Sequence, residues 1–151
     1  LALFIMALVG SCETSTDSED PYTLRFDSGI YEASALGYNT ETPITVRVTF
    51  SEDAIEDIVI VSHGEGVIDT IRDRFNAHEG QTLDEDRLRD SVQATIDRVR
   101  EAIVREQTLA LDAITGATAR WTREGILKAV EDCVRQAGGD EAAAKLKIAV
   151  D

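Results

Sequence analysis

The spacing of hydrophobic and polar positions changes once along the chain. Ile44, Val46, Val48 and Phe50 alternate with Thr45, Arg47 and Thr49, and a period of two predicts a strand with one buried and one wet face. Ahead of it, Gly29-Ile30-Tyr31-Glu32-Ala33 reads as a short first strand and Gly37-Tyr38-Asn39-Thr40 as the turn between them. Ser51-Glu52-Asp53 forms a second turn, and Ile55 to Ser62 a third strand. Short polar connections between three strands predict an antiparallel meander. Further on the period lengthens. Leu88, Val92, Ile96, Val99 and Ile103 recur at helical spacing, an apolar stripe on an amphipathic helix. Arg87, Arg89, Asp90, Asp97, Arg98, Arg100 and Glu101 make its solvated face. A second helix is expected from about Thr122 to Ala137, with Ile126, Leu127, Val130 and Val134 inward and Gly138-Gly139 as its C-terminal stop. Strands followed by helices, without internal repeats, place the chain in the α+β class: a small antiparallel sheet and then helices.

The first residues follow another pattern. Leu1 to Val9 is an unbroken apolar run, too short for a bilayer, which needs roughly 20 apolar residues. It has the length of a signal-peptide core and ends in the small residues Gly10 and Ser11 before Cys12. With neither Met nor a basic segment ahead of Leu1, the chain is expected to begin inside its signal peptide, residues 1–11. Val9-Gly10-Ser11-Cys12 resembles the lipobox of bacterial lipoproteins, with Gly10 a less common choice at its position, and this implies that Cys12 is lipidated. The alternative is a buried N-terminal strand with an incidental cysteine. Glu13 to Asp20 is acidic and without an apolar residue, as expected of a solvated tether. The expected organisation is therefore a lipidated Cys12 and tether over 12–26, a folded domain over 27–138 and a C-terminal tail over 139–151.

Composition narrows the function. The 151 residues suit one domain. Hydrophobic content of 43% with 29% charged residues permits a real core. Fifteen Lys and Arg against 29 Asp and Glu give a net charge of −14. That argues against nucleic acid, whose phosphates are held by clustered cations, and against docking on an anionic membrane through a basic face. Membrane contact is expected through the lipid anchor only. Cys12 and Cys133 cannot build a disulfide scaffold, and Cys133 is expected as a small buried hydrophobe on the last helix. The two histidines lack partners at zinc-ligand spacing. Neither a Rossmann nor a P-loop glycine pattern is present, Asp84-Glu85-Asp86 lacks the spaced ligands of a calcium loop, and no hydrolase-like triad can be argued from spacing.

Between the helical segments stands Leu111-Asp112-Ala113-Ile114-Thr115-Gly116-Ala117-Thr118. This resembles the motif of the FMN-binding domain family with covalent flavin: an Asp, two variable residues, Ser or Thr, then Gly-Ala-Thr. The family occurs in subunits of sodium-pumping NADH:quinone reductases and Rnf complexes, in some fumarate reductases and in surface flavoproteins. Gly29-Ile30-Tyr31, Gly37-Tyr38, the strands around Val46 and Ile58, His63-Gly64-Glu65, Gln107 and Ala129-Val130 extend the similarity over roughly residues 29 to 137. The resemblance implies covalent FMN, with the flavin motif at the N-terminal end of the last helix and Thr118 esterified by the FMN phosphate. Asp112 then belongs to the signal read by a separate flavin transferase, which uses FAD and Mg²⁺, and Asp112, Thr115, Gly116, Ala117 and Trp121 are the cofactor-binding candidates beside Thr118. Gly116 permits a tight turn near the phosphate, and Ala117 leaves the path open. A helix N-terminus near Thr122 offers N–H groups and a positive dipole end, with Arg120 and Arg123 available for charge-assisted bonds.

Trp121 either stacks on the flavin or packs on the core. Tyr31 and Tyr38 are further ring contacts or structural tyrosines, His63 either approaches the ring or caps a turn, and His78 looks uninvolved. Two departures bear on local flavin contacts. Ala119-Arg120-Trp121 stands where relatives carry a Thr-Ser pair, so that Thr122 arrives later, and Gly66 replaces a Thr after His-x-Glu. The expected function is a bacterial extracytoplasmic, lipid-anchored electron-transfer flavoprotein, a carrier or redox subunit rather than a stand-alone enzyme. It would shuttle electrons between a membrane redox partner and a terminal or extracellular acceptor. The alternatives are an accessory flavin subunit of a larger membrane or fumarate-type reductase, and a flavin-free surface binding lipoprotein.

Overall fold

A strand with every second residue apolar needs cover on one face, and here both helices supply it. The structure, a computed structural model, describes residues 23–37, 42–63, 84–111 and 117–147, without the side chains of 117–119 and 121. Strands β1 (Gly29–Leu36), β2 (Pro43–Phe50) and β3 (Ile55–Ser62) form an antiparallel sheet in the order β1-β2-β3. The central strand β2 turns Ile44, Val46, Val48 and Phe50 wholly into the core. Val46 lies opposite Ala33 and Ile60, and Val48 opposite Tyr31 and Ile58. Register shifts on the β2–β3 side leave Glu56 and Val61 without an opposite residue, a bulge-like device that adds twist. On the outer face the Arg47 guanidinium meets Glu32 at 2.9 Å across the strands.

Helix α1 (Glu85–Glu106) turns Leu88, Val92, Ile96, Val99 and Ile103 inward, the stripe read from spacing. The Asp84 side chain accepts from the Arg87 N–H at 3.0 Å, and Glu85 and Asp86 follow in the first turn. The acidic triplet is thus a cap with dipole-complementing charges.

Helix α2 (Ala117–Leu146) corrects the sequence reading at both ends. It begins five residues before Thr122, because Ala117, Ala119 and Arg120 favour helix by intrinsic propensity although they extend no apolar stripe. The pair Gly138-Gly139 is a break rather than a stop: Gly139, at φ 73° and ψ −175°, interrupts the helix, which resumes to Leu146. The second segment doubles back, since Lys147 reaches Glu131 at 2.7 Å, whereas a straight helix would separate them by about 24 Å. Ala142, Ala143 and Leu146 are buried, so the expected tail contributes to the core. So does Phe26, expected in the tether. Its ring lies 4.8 Å from that of Phe50, and its N–H donates to Glu52 O.

Helix α2 lies on β1 and β2, and α1 on β3 and α2. Gly125 sits against Ile44 and the Gly37 backbone, while Ala137 accepts from the Asp27 N–H at the other end of β1. Gln107, which follows α1, lies at Ile55, and Arg100 within it lies at Ile58. Both helices therefore open toward the same end of the sheet, where β1 and β3 finish and β2 begins. Among the described residues no helix is long and apolar enough to cross a membrane.

Candidate functional site

The motif ends where α2 begins. Ala117 and Thr118 are the first two helical residues, which puts Thr118 in the opening turn. Asp112, Thr115 and Gly116 lie outside the described residues, as do Cys12, Tyr38, Gly66, His78 and the Trp121 side chain.

The chain leading to the motif is pinned. Gln107, at the C-terminus of α1, adopts a left-handed conformation (φ 50°, ψ 45°). Its side chain accepts from the Ile55 N–H at 2.8 Å and donates to Ile55 O at 2.8 Å and Val104 O at 2.6 Å. Next, the Thr108 hydroxyl and the Leu109 N–H both donate to Leu146 O, at 3.0 and 2.7 Å. The segment that delivers the motif is therefore fixed to β3 on one side and to the end of α2 on the other. Sequence reading singled out Gln107 as a match without assigning its task, which depends on tertiary contact with Ile55.

The two helix N-termini differ electrostatically. The α1 dipole is met by its own acids, whereas the first turn of α2 carries none and remains able to attract an anion. Arg120, exposed there, pairs with Glu124 at 3.0 Å. Arg123 is half-buried in the following turn.

Buried polar atoms mark the same end of the fold. Thr122 is fully buried, and its Oγ1 has no hydrogen-bond partner among the described residues. His63, just past β3, has a buried Nδ1 in the same condition. It borders a cleft of about 400 Å³ formed with the end of β3, Gln93, Ile96 and Arg100. Thr122 was read as the helix start. With α2 beginning at Ala117 it lies one turn beyond Thr118 and inside the fold.

Two other candidates are structural. The Tyr31 hydroxyl donates to Asp27 O at 3.1 Å, and its ring meets Phe50 edge-on at 5.7 Å, toward the opposite end of the sheet. The Cys133 thiol is buried, 3.6 Å from Tyr31 O. Its pKa is pushed up to about 12 by burial and by the neighbouring Asp132 and Glu32 charges. No cluster of three metal-ligating side chains occurs among the described residues.

The model of the FMN-binding domain matches residues 37–135, from the end of β1 to within α2. The chain belongs to the FMN-binding domain family. It is 33% identical over 124 residues, 82% of its length, to an NADH:acrylate oxidoreductase of Vibrio harveyi, and covers 10% of that protein. It is 31% identical over 108 residues, 72% of its length, to an uncharacterized protein of Treponema pallidum (strain Nichols), and covers 23% of it. The chain thus spans less than a quarter of the length of these curated relatives. No solved structure matches it significantly. The family match supports a flavin-binding role for this chain. The residues of this FMN-binding domain fit its cofactor. FMN carries phosphate, ribityl hydroxyls and ring heteroatoms, and the end of the sheet beside the motif presents an acid-free helix start and two buried polar atoms awaiting partners.

Proposed function

We propose that the chain is an electron-transfer flavoprotein domain whose FMN is held as a phosphoester of Thr118. The observation that carries this reading is the motif running from Asp112 to Thr118 at the start of α2, inside the region matched to the family. Attachment by a flavin transferase with FAD as donor joins Thr118 Oγ1 to the flavin-side phosphorus. The pyrophosphate bond breaks, and AMP and the hydroxyl proton depart. Gly116 and Ala117 leave little bulk beside the acceptor, and the N–H groups of the α2 start would stabilise the remaining phosphate charge. When bound, FMN supplies one- and two-electron redox chemistry, while the protein positions it and sets its polarity. Asp112 belongs to the sequence read by the transferase, Thr115 completes the motif beside the acceptor, and Trp121, three residues after Thr118, is a candidate aromatic wall for the ring.

The apolar run before Cys12 and the acidic segment after it support placement outside the bacterial cytoplasm on a lipid anchor. There a covalent cofactor cannot be lost by dilution. The partners would be a membrane reductase on one side and a terminal or external acceptor on the other. The length of the relatives favours a second reading, a flavin module acting within a larger reductase.

The test is intact mass and fluorescence on a denaturing gel for the chain from Glu13 onward, coexpressed with a flavin transferase. A gain of FMN minus water, lost in Thr118→Ala, is expected. Unmodified protein beside a control domain that the same transferase does modify overturns the covalent reading and favours a flavin-free binding lipoprotein.

A further inference from the structure

Three threonines of the described chain are buried: Thr95, Thr108 and Thr122. The Thr95 hydroxyl donates to the carbonyl four residues earlier, Ser91 O, at 2.9 Å, and that of Thr108 donates to Leu146 O at 3.0 Å. Thr122 is as helical as Thr95 and more deeply buried, yet its Oγ1 makes neither bond. A buried hydroxyl without a partner is a standing cost that a helical threonine ordinarily avoids by back-bonding.

Its position gives the omission a meaning. Thr122 follows Thr118 by four residues, so the two share one helix face. The Cα–Cβ bonds of an α-helix lean toward its N-terminus, which carries the Thr122 side chain toward the opening turn. One helical turn is about 5.4 Å. A phosphate oxygen on the earlier residue, with one hydrogen bond of about 2.8 Å, spans that gap. We propose that Thr122 Oγ1 donates a hydrogen bond to the phosphoester that joins FMN to Thr118. This rests on the covalent reading above and adds a positioning residue to it: Thr122 fixes the phosphate, and through it the flavin, against the helix.

The test compares wild type with Thr122→Val, which removes the hydroxyl at nearly constant shape, and Thr122→Ser, which retains it. Each is made with and without the transferase. Without flavin, Thr122→Val should melt at or above the wild-type temperature, because an unpartnered hydroxyl is gone. With flavin, its stabilisation by the cofactor should fall short of wild type by about 4 °C or more, with a displaced phosphoester ³¹P resonance. Thr122→Ser should behave as wild type. A Val variant left unmodified while the Ser variant is modified also supports the proposal. Equal effects with and without flavin, a loss of stability without flavin, or loss of modification in both variants overturns it. Should the Val protein not fold, Thr122→Ala carries the same comparison. Wild type that itself stays unmodified, with the control domain modified, removes the covalent reading and this proposal with it. Modified wild type with an indifferent Thr122 removes this proposal alone.

Discussion

Replacing Gln107 tests whether the approach to the flavin motif is pinned as the geometry indicates. Its side chain satisfies both backbone groups of Ile55, which is 1% exposed, and adds a bond to Val104 O. At a net value of about 1 kcal/mol per bond, Gln107→Ala should cost about 2–3 kcal/mol, less whatever water recovers at the edge of β3. A second contribution separates this account from a general loss of packing. Gln107 sits at φ 50°, where a side chain is disfavoured by about 1–2 kcal/mol and glycine is not. Gln107→Gly loses the same bonds but sheds that strain, and should be more stable than Gln107→Ala by about 1 kcal/mol. Urea unfolding is the assay. With slopes of about 1–3 kcal/mol per molar, the Ala variant should lose about 1 M or more in midpoint at unchanged slope. An Ala cost below about 1 kcal/mol, or a Gly variant no better than Ala, refutes the reasoning.

Other positions make equally definite claims. A Cβ on Gly125 would stand 2.5 Å from Ile44 Cδ1 and 3.2 Å from the Gly37 backbone. Gly125→Ala should therefore lose about 1 kcal/mol, the overpacking outweighing its gain in helix propensity. Adding Ile44→Val, which removes the clashing methyl, should cost less than the sum of the single changes in a double-mutant cycle. Gly138→Ala drives a Cβ to 2.7 Å from Arg25 O and 2.9 Å from Phe26 Cδ1 and should cost about 2 kcal/mol in chemical unfolding. Gly139→Ala meets nothing within 4 Å but must hold φ 73°, so its cost of about 1–3 kcal/mol is backbone strain and should survive any repacking of neighbours. Cys133, with its thiol at about 12 in the fold against 9.0 as an ordinary thiol, should resist thiol reagents at pH 8 until urea unfolds the chain. Because the folded pKa is the higher one, the stability linked to this thiol is intact below pH 9. It falls by up to about 1.4 kcal/mol per pH unit between 9 and 12, a slope that Cys133→Ala should remove.

What could be read in advance follows from where burial is one-sided. Strand β2 is central, so its inner face is wholly apolar and its outer face polar, and the period of two is unmistakable. In α1 the stripe from Leu88 to Ile103 is equally clear because the helix has one wet face. The start of α2 was invisible to periodicity, since Ala117 to Arg120 form helix without adding to a stripe. Beyond Gly139 the buried residues are mainly alanines, too small to separate core from surface by pattern. Phe26 follows a polar tether in sequence, and only its pairing with Phe50 and Glu52 brings it inside. The motif itself was readable because its residues are contiguous. The task of Gln107, the unmet hydroxyl of Thr122 and the buried nitrogen of His63 depend on neighbours distant in sequence, and no local pattern announces them.

The charge of the chain bears on why the proposed covalent attachment would suit this fold. Free FMN presents a phosphate of nearly two negative charges, which the field of a protein of net charge −14 opposes. Among the described residues, Arg120 at the start of α2 is already engaged by Glu124. The proposed esterification would change the requirement. A phosphodiester carries one charge, and a bond to Thr118 would replace affinity by connectivity. What would remain is orientation, a task for the N–H groups of one acid-free helix turn and the buried hydroxyl of Thr122. Negative charge elsewhere would then be free to govern encounters with a redox partner without weakening retention of the flavin. On this argument, raising salt should alter the rate of electron exchange with a charged partner while leaving the flavin content of the domain unchanged. Loss of flavin in high salt would mean that ionic contacts hold it after all.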